Sequence, residues 1–368
     1  NYLAGTTVNA NGQKSLLSLG NGTSIAYEYL DWLTDSGRLG KMSVPGLEDL
    51  TYTYDGAGNI TSITDGQNAG QVQSFGYDAL DRLTSASSSA VGNGQYNQTY
   101  TYDPSTGNLS YKSDMGSYTY SPTHPHAVTS AGGNAYAYDL NGNITSRTVA
   151  GQVWTYTYDA ENHLTATRRN GDLVSEYGYD GDGNRVWAKD YENGLLNPYH
   201  ITVYIGDTSE LSWEEGVPNQ GGQTPDCSTS NCVYLPLLVR GAEPTSYYYA
   251  DGTRIAMRVG REVYYLYGDQ LGSTVVTTDV DGGLVSQTLY EPWGEARYQS
   301  GTGPTDYAFT GQMQEGDIYF YNARWYDPAL GRFMQADSFI PTAQGTQGWD
   351  RYAYVNNNPL RYTDPSGQ

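Results

Sequence analysis

Tyr136-Ala-Tyr-Asp-Leu-Asn-Gly-Asn-Ile-Thr145 and Trp154-Thr-Tyr-Thr-Tyr-Asp-Ala-Glu-Asn-His-Leu-Thr165 are two copies of one phrase. It recurs as Tyr54-Asp-Gly-Ala-Gly-Asn-Ile-Thr61, Tyr77-Asp-Ala-Leu-Asp-Arg-Leu-Thr84, Tyr102-Asp-Pro-Ser-Thr-Gly-Asn-Leu-Ser110 and Tyr179-Asp-Gly-Asp-Gly-Asn-Arg-Val186. A degenerate copy begins at Tyr120 and an earlier one at Tyr29, giving a mean period of about 21 residues. Ahead of each Asp, aromatics alternate with small β-formers, as in Tyr52-Thr-Tyr54 and Tyr100-Thr-Tyr102. Alternation with period two places those rings on one face of a strand. Asp, Gly and Asn then supply a turn, because they hydrogen-bond their own backbone or accept positive φ. Ile or Leu followed by Thr or Ser opens the next strand. One such hairpin cannot bury its aromatic face alone, so the copies must stack side by side. Helical periodicity is nearly absent, and the expected class is all-β: a spiralling strip of hairpins forming a shell or part of one.

The composition fits this unit. Among 368 residues there are 37 Tyr and 45 Gly but only 5 Phe, so tyrosine supplies the core bulk that Phe and Leu usually provide. A net charge of −21 gives no footprint for a phosphate backbone, which excludes nucleic acid as a ligand. The longest apolar run, Val233–Val239, is interrupted by Pro236, too short for a membrane-spanning helix. The chain starts at Asn1 with no signal segment ahead of it, so it reads as processed or as a piece of a longer protein. Cys227 and Cys232, in the turn-like stretch Pro225–Val233, read as a local disulfide and place the protein outside the cytoplasm. His124, His126, His163 and His200 are not spaced to complete a zinc site there.

At these residues the sequence resembles the RHS/YD-repeat family of bacterial Rhs proteins, Tc-toxin C components and animal teneurins. A second match covers about 247–367, through Tyr265-Leu-Tyr-Gly-Asp-Gln-Leu-Gly-Ser273, Tyr290-Glu-Pro-Trp-Gly-Glu295, Tyr319-Phe-Tyr-Asn-Ala-Arg-Trp-Tyr-Asp-Pro-Ala-Leu-Gly-Arg-Phe333 and Asp364-Pro-Ser-Gly367. These are similar to the RHS-associated core that caps one end of the shell. Three segments follow: repeats over 1–190, a repeat-poor insertion with the Cys pair over 191–246, and final repeats with the core over 247–368.

The resemblance also implies chemistry. In bacterial relatives the core is an intramolecular aspartyl protease with two Asp-Pro-x-Gly motifs, which cuts just past the second and frees a C-terminal segment. The motifs map onto Asp337, followed here by Ser-Phe-Ile rather than Pro-x-Gly, and onto Asp364. Arg332 is the expected counter-cation and Asp327 a spare carboxylate. The competing reading makes both aspartates turn-formers in a non-catalytic plug. No cofactor or metal is assigned. Asp180-Gly-Asp-Gly-Asn184 begins like a calcium loop but has Arg185 where that loop needs Gly, and His124-Pro-His126 reads as a turn. The expected partners are the chain's own C-terminal segment or another protein cargo, at an extracellular or cell-surface location. The alternative is an extracellular adhesion, carbohydrate-binding or filament-forming module that meets a cell-surface glycan or like subunits.

Overall fold

The computed structural model describes residues 1–68, 70–89, 94–191, 199–206, 208–214, 242–338 and 347–368. Each Tyr-Asp phrase is a hairpin corner, and among the described residues the hairpins join into one antiparallel wall of 26 strands, from β1 (Leu3–Val8) to β26 (Ala296–Gly301). Every wall strand pairs with its neighbours in sequence. Among the described residues α-helix is confined to Trp32–Asp35, and no helix is long and apolar enough to cross a membrane. The all-β expectation therefore holds.

The aromatic alternation does what its period dictates. Tyr52, Phe75, Tyr100, Tyr118, Tyr136, Tyr156 and Tyr177 are buried, and the tyrosine two residues on in each copy packs against the same core. Six of those seven second tyrosines, all but Tyr138, also tie their repeat to the one before. The hydroxyls of Tyr77, Tyr102, Tyr120, Tyr158 and Tyr179 donate to the carbonyls of Ile60, Leu83, Leu109, Ile144 and Leu164, at 2.6–2.9 Å. Tyr29, the earliest copy, donates likewise to Lys14 O at 3.0 Å. The pairing register slips at Tyr54, Tyr77, Tyr120, Tyr138, Tyr158 and Tyr179. A bulge at the same place in every repeat adds twist at one end of each strand, and that curls the strip.

The curl brings the first hairpins against the strands between Glu243 and Gly268. Tyr2 stacks on Tyr248 with ring centroids 3.6 Å apart. Thr23 hydrogen-bonds the Tyr267 hydroxyl at 2.6 Å, and Lys14 pairs with Asp251 at 3.3 Å. The wall's aromatic face wraps a second, four-stranded sheet: β27 (Met313–Glu315), β28 (Ile318–Tyr321), β29 (Arg324–Asp327) and β30 (Arg332–Phe333). This plug is almost wholly buried and shares one core with the wall, Tyr177 lying 5.0 Å from Trp325. Its polar groups reach the wall from several sides. Tyr319 and Tyr326 donate to Gly294 O and Trp293 O, Tyr352 donates to Gly142 O, and Asn358 donates to Asn59.

Within the repeat-poor stretch, His200–Ile205 and Ser209–Glu214 are strands that continue the wall between Arg185–Asp190 and Glu243–Ala250. Cys227 and Cys232 lie outside the described residues.

Candidate functional site

In the Tyr-Asp corners of the wall the Asp carboxylate closes the turn. Asp139 Oδ1 accepts the amides of Asn141 and Asn143, and Oδ2 accepts the Asn143 side chain. Asp55, Asp159 and Asp180 repeat the pattern with Asn59, His163 and Asn184. The Asp180–Asn184 stretch is therefore a repeat corner. In the degenerate copy, Ser121 Oγ takes the Asp role for the amides of Thr123 and His124. The residue before the corner's last position, four after the Asp, adopts positive φ. It is Gly58, Gly142 or Gly183 where glycine is available, and Asp81 or Asn162 elsewhere.

Asp364 starts from the same chemistry. Its Oδ1 accepts the amides of Gly367 and Gln368 at 2.8 and 3.2 Å, with Gly367 at φ +72°. Its second oxygen differs. Asp364 Oδ2 lies 3.4 Å from Nη2 of Arg324, and the same nitrogen is 3.2 Å from Oδ2 of Asp337. The structure thus gathers the two sequence-predicted aspartates on one guanidinium at the start of β29. They border an open cleft of about 670 Å3 that Arg351, Tyr362, Pro365, Ser366 and Gln368 also line. The Arg324 plane lies 3.7 Å from the Phe333 ring, and its remaining donors go to Gly367 O and Arg351 O. Burial pulls the Arg324 guanidinium below its ordinary pKa, against the opposing pull of Asp337 and Asp364.

Two sequence-based assignments change. Arg332 is not the cation of this pair: it is buried in β30, donates to Asp350 and to His126 O, and faces the wall. Asp327 is not spare either. Its Oδ2 accepts from Arg147 at 2.8 Å and its Oδ1 from the Leu330 amide, both partners being almost fully buried. Proximity in sequence favoured Arg332, whereas strand pairing turns it the other way. Arg324 did carry a signal, as a lone cation in an aromatic run, since a fully buried Arg must find anions.

No other described cluster competes as a site. Asp114, Glu291 and Glu295 bring carboxylate oxygens within 4.8 Å of one another. The buried ammonium of Lys112 already bonds Asp114 and Glu295 there. Burial raises Glu295 to about 7 despite that ammonium. His126 Nδ1 contacts Asn108 in a turn.

Comparison with known proteins decides the family. The sequence model described as "Teneurin YD-shell" matches residues 50–197 and 239–360. The chain belongs to this family. The two matched stretches of the YD shell leave out the segment that carries the Cys pair. The tRNA nuclease WapA of Bacillus subtilis is 27% identical over 345 residues, which is 90% of this chain and 11% of the relative. The toxin subunit YenC2 of Yersinia entomophaga is 24% identical over 430 aligned residues, covering 98% of this chain and 42% of the relative. The chain therefore spans less than half the length of either relative. Among solved structures, the TcdB2-TccC3 complex superposes with a TM-score of 0.76 at 20% identity, over 100% of this chain and 20% of that one. That likeness establishes a shared fold.

Proposed function

We propose that this chain is the capped end of a secreted or cell-surface YD shell that encloses a C-terminal protein cargo. We further read it as cutting its own backbone once, just past Gly367. Three things support the shell reading: the curled wall, the plug filling its end, and relatives in which most of the length lies outside the matched region. The relatives' names, a tRNA nuclease and a toxin subunit, point to a toxic protein as the class of cargo.

The observation that carries self-cleavage is the sharing of Arg324 Nη2 by Asp337 and Asp364 beside a segment whose backbone is pinned. Catalysis by an aspartate pair needs one carboxylate ionised and the other protonated. The unprotonated one takes a proton from water as the water oxygen bonds to the scissile carbonyl carbon. The protonated one gives its proton to the leaving amide nitrogen as the C–N bond breaks. Water is consumed, and a new carboxyl and a new amine are left. Arg324 offsets the negative charge of the pair throughout. No external substrate turns over.

A second reading has its own support. Asp364 reproduces the wall-corner pattern at its Oδ1, as a non-catalytic plug in an adhesion or filament module would. One experiment separates the two. The chain is expressed with a folded reporter fused after Gln368, as parent, Asp364→Asn and Asp337→Asn, and the products are weighed intact. Self-cleavage predicts a released reporter from the parent and an uncut chain from each variant. If all three stay whole, or all are cut at one place, the autoprotease reading is wrong.

A further inference from the structure

The segment Pro365–Ser366 is a partition. On one side is the cleft with Asp337 and Asp364. On the other is a second cavity of about 770 Å3, lined among others by Arg185, Tyr204, Arg254 and Tyr307. A partition between two open spaces needs a support, and here it is the turn joining β28 to β29. Asn322 Nδ2 donates to Pro365 O at 3.1 Å, the Ala323 amide to Ser366 O at 3.1 Å, and Arg324 Nε to Gly367 O at 2.5 Å. Three successive residues of the turn hold three successive carbonyls, in the same chain direction. Gln312 Nε2 adds a second bond to Pro365 O at 3.3 Å. Contact is closest at Gly367, where a Cβ would stand 2.1 Å from Tyr321 O.

Each side-chain amide bonds the Pro365 carbonyl rather than a group of its own turn. Asn322 occupies a left-handed position at φ +59°, a conformation that glycine or aspartate also accepts. Gln312 follows a short 3-10 turn, Phe309–Gly311. Both are aimed at one carbonyl, two residues ahead of Gly367.

We propose that Asn322 and Gln312 are positioning residues for the self-cleavage, forming an amide fork on the Pro365 carbonyl. The fork fixes how far the backbone past Gly367 is fed across the carboxylates, and so which peptide bond is cut. This role rests on the self-cleavage reading. A fork that only stabilises the plug would change how much protein folds. A fork that sets the feed changes where the chain is cut.

The test uses the reporter fusion with Asn322→Asp and Gln312→Glu combined. These are near-isosteres that replace each donor by an acceptor and so repel the Pro365 carbonyl. Asn322→Gly with Gln312→Ala keeps the left-handed turn while removing both amides, and it serves if the charged pair fails to fold. The mass of the released reporter gives the cut position, and the time course gives the rate. The expected parent product is a single species. The expected variant product, from protein that melts as the parent does, is released at least tenfold more slowly as two or more species differing by whole residues. A folded variant that releases the same single species at the parental rate overturns the fork. A parent that is never cut removes the self-cleavage reading and the fork with it, so the two failures look different.

Discussion

A wall corner and the Asp364 turn use the same first oxygen and differ in the second. At Asp139 the second oxygen stays inside the corner, on the side chain of Asn143 four residues on. At Asp364 it leaves the turn for Arg324, forty residues earlier, and meets Asp337 there. A turn carboxylate becomes a candidate site when its second oxygen is released from local work and a buried cation collects it. The local motif is thus compatible with either role, and the tertiary partner decides between them.

The largest effect expected from this contrast is on stability. Arg324→Leu leaves Asp337 and Asp364, only 16% and 12% exposed in their side chains, without their shared cation. It also strips a donor from Gly367 O and from Arg351 O. The cost should be about 3 kcal/mol. Asn143→Ala, which removes the bonds to Asp139 and Asn162 in a wall corner, should cost about 1 kcal/mol. Urea unfolding midpoints measured side by side would break the comparison if the wall variant proved the more damaging.

A smaller effect is expected in the hydroxyl ladder that ties each repeat to the last. Tyr158→Phe removes the bond to Ile144 O while keeping the ring, and should cost about 1 kcal/mol. Tyr326→Phe removes the corresponding tie from plug to wall, at Trp293 O. Tyr326 has no exposed surface, so the stranded carbonyl cannot rehydrate and the loss should be about 2 kcal/mol. Equal thermal shifts for the two variants would mean that plug and wall are tied with equal strength.

The smallest effect is one of sign with pH. The side chain and amide of Asn184 hold the Asp180 carboxyl below its ordinary value. Its stabilisation is present above the unfolded pKa and lost as acid protonates it. Asp269 sits in a corner of the same kind, accepting the amides of Leu271 and Ser273. Burial raises it from 3.8 to about 6, against those hydrogen bonds. Buried Glu48 is raised in the same cavity, by its own burial and then by Asp269 and Asp65. The Asp269 contribution is therefore fully present below the unfolded pKa and lost as pH rises through about 6. Asp269→Asn keeps an acceptor oxygen and should melt higher than the parent at pH 7.5 but not at pH 4. Asp180→Asn should melt lower than the parent at pH 7.5. Shifts of the same sign for both at pH 7.5 would show that burial does not distinguish the two corners.

Much of the wall is legible in the sequence because its determinants are short-range. Tyr156 and Tyr158 share a face because they are two residues apart, and Asp159 closes its turn on amides two and four residues on. Even Ser121 can be read as a substitute for Asp once its spacing is set against the other copies. The bulge at each Tyr-Asp and the hydroxyl bond to the previous repeat were not legible. Both depend on pairing between strands whose register no single copy specifies. The plug was legible only as a series of motifs.

By itself, then, the sequence determined an all-β chain of tyrosine-faced hairpins, corners closed by Asp and Gly, and two aspartates worth watching near the end. Tertiary structure alone decided that the strip curls around its plug, and that Arg332 goes to Asp350 while Arg324 holds Asp337 and Asp364. It also decided that the turn before Arg324 grips the backbone after Asp364. A hydrogen bond closed within five residues can be written into a local motif. An ion pair closed over forty residues exists only once packing has removed water from the arginine and left the two carboxylates within its reach.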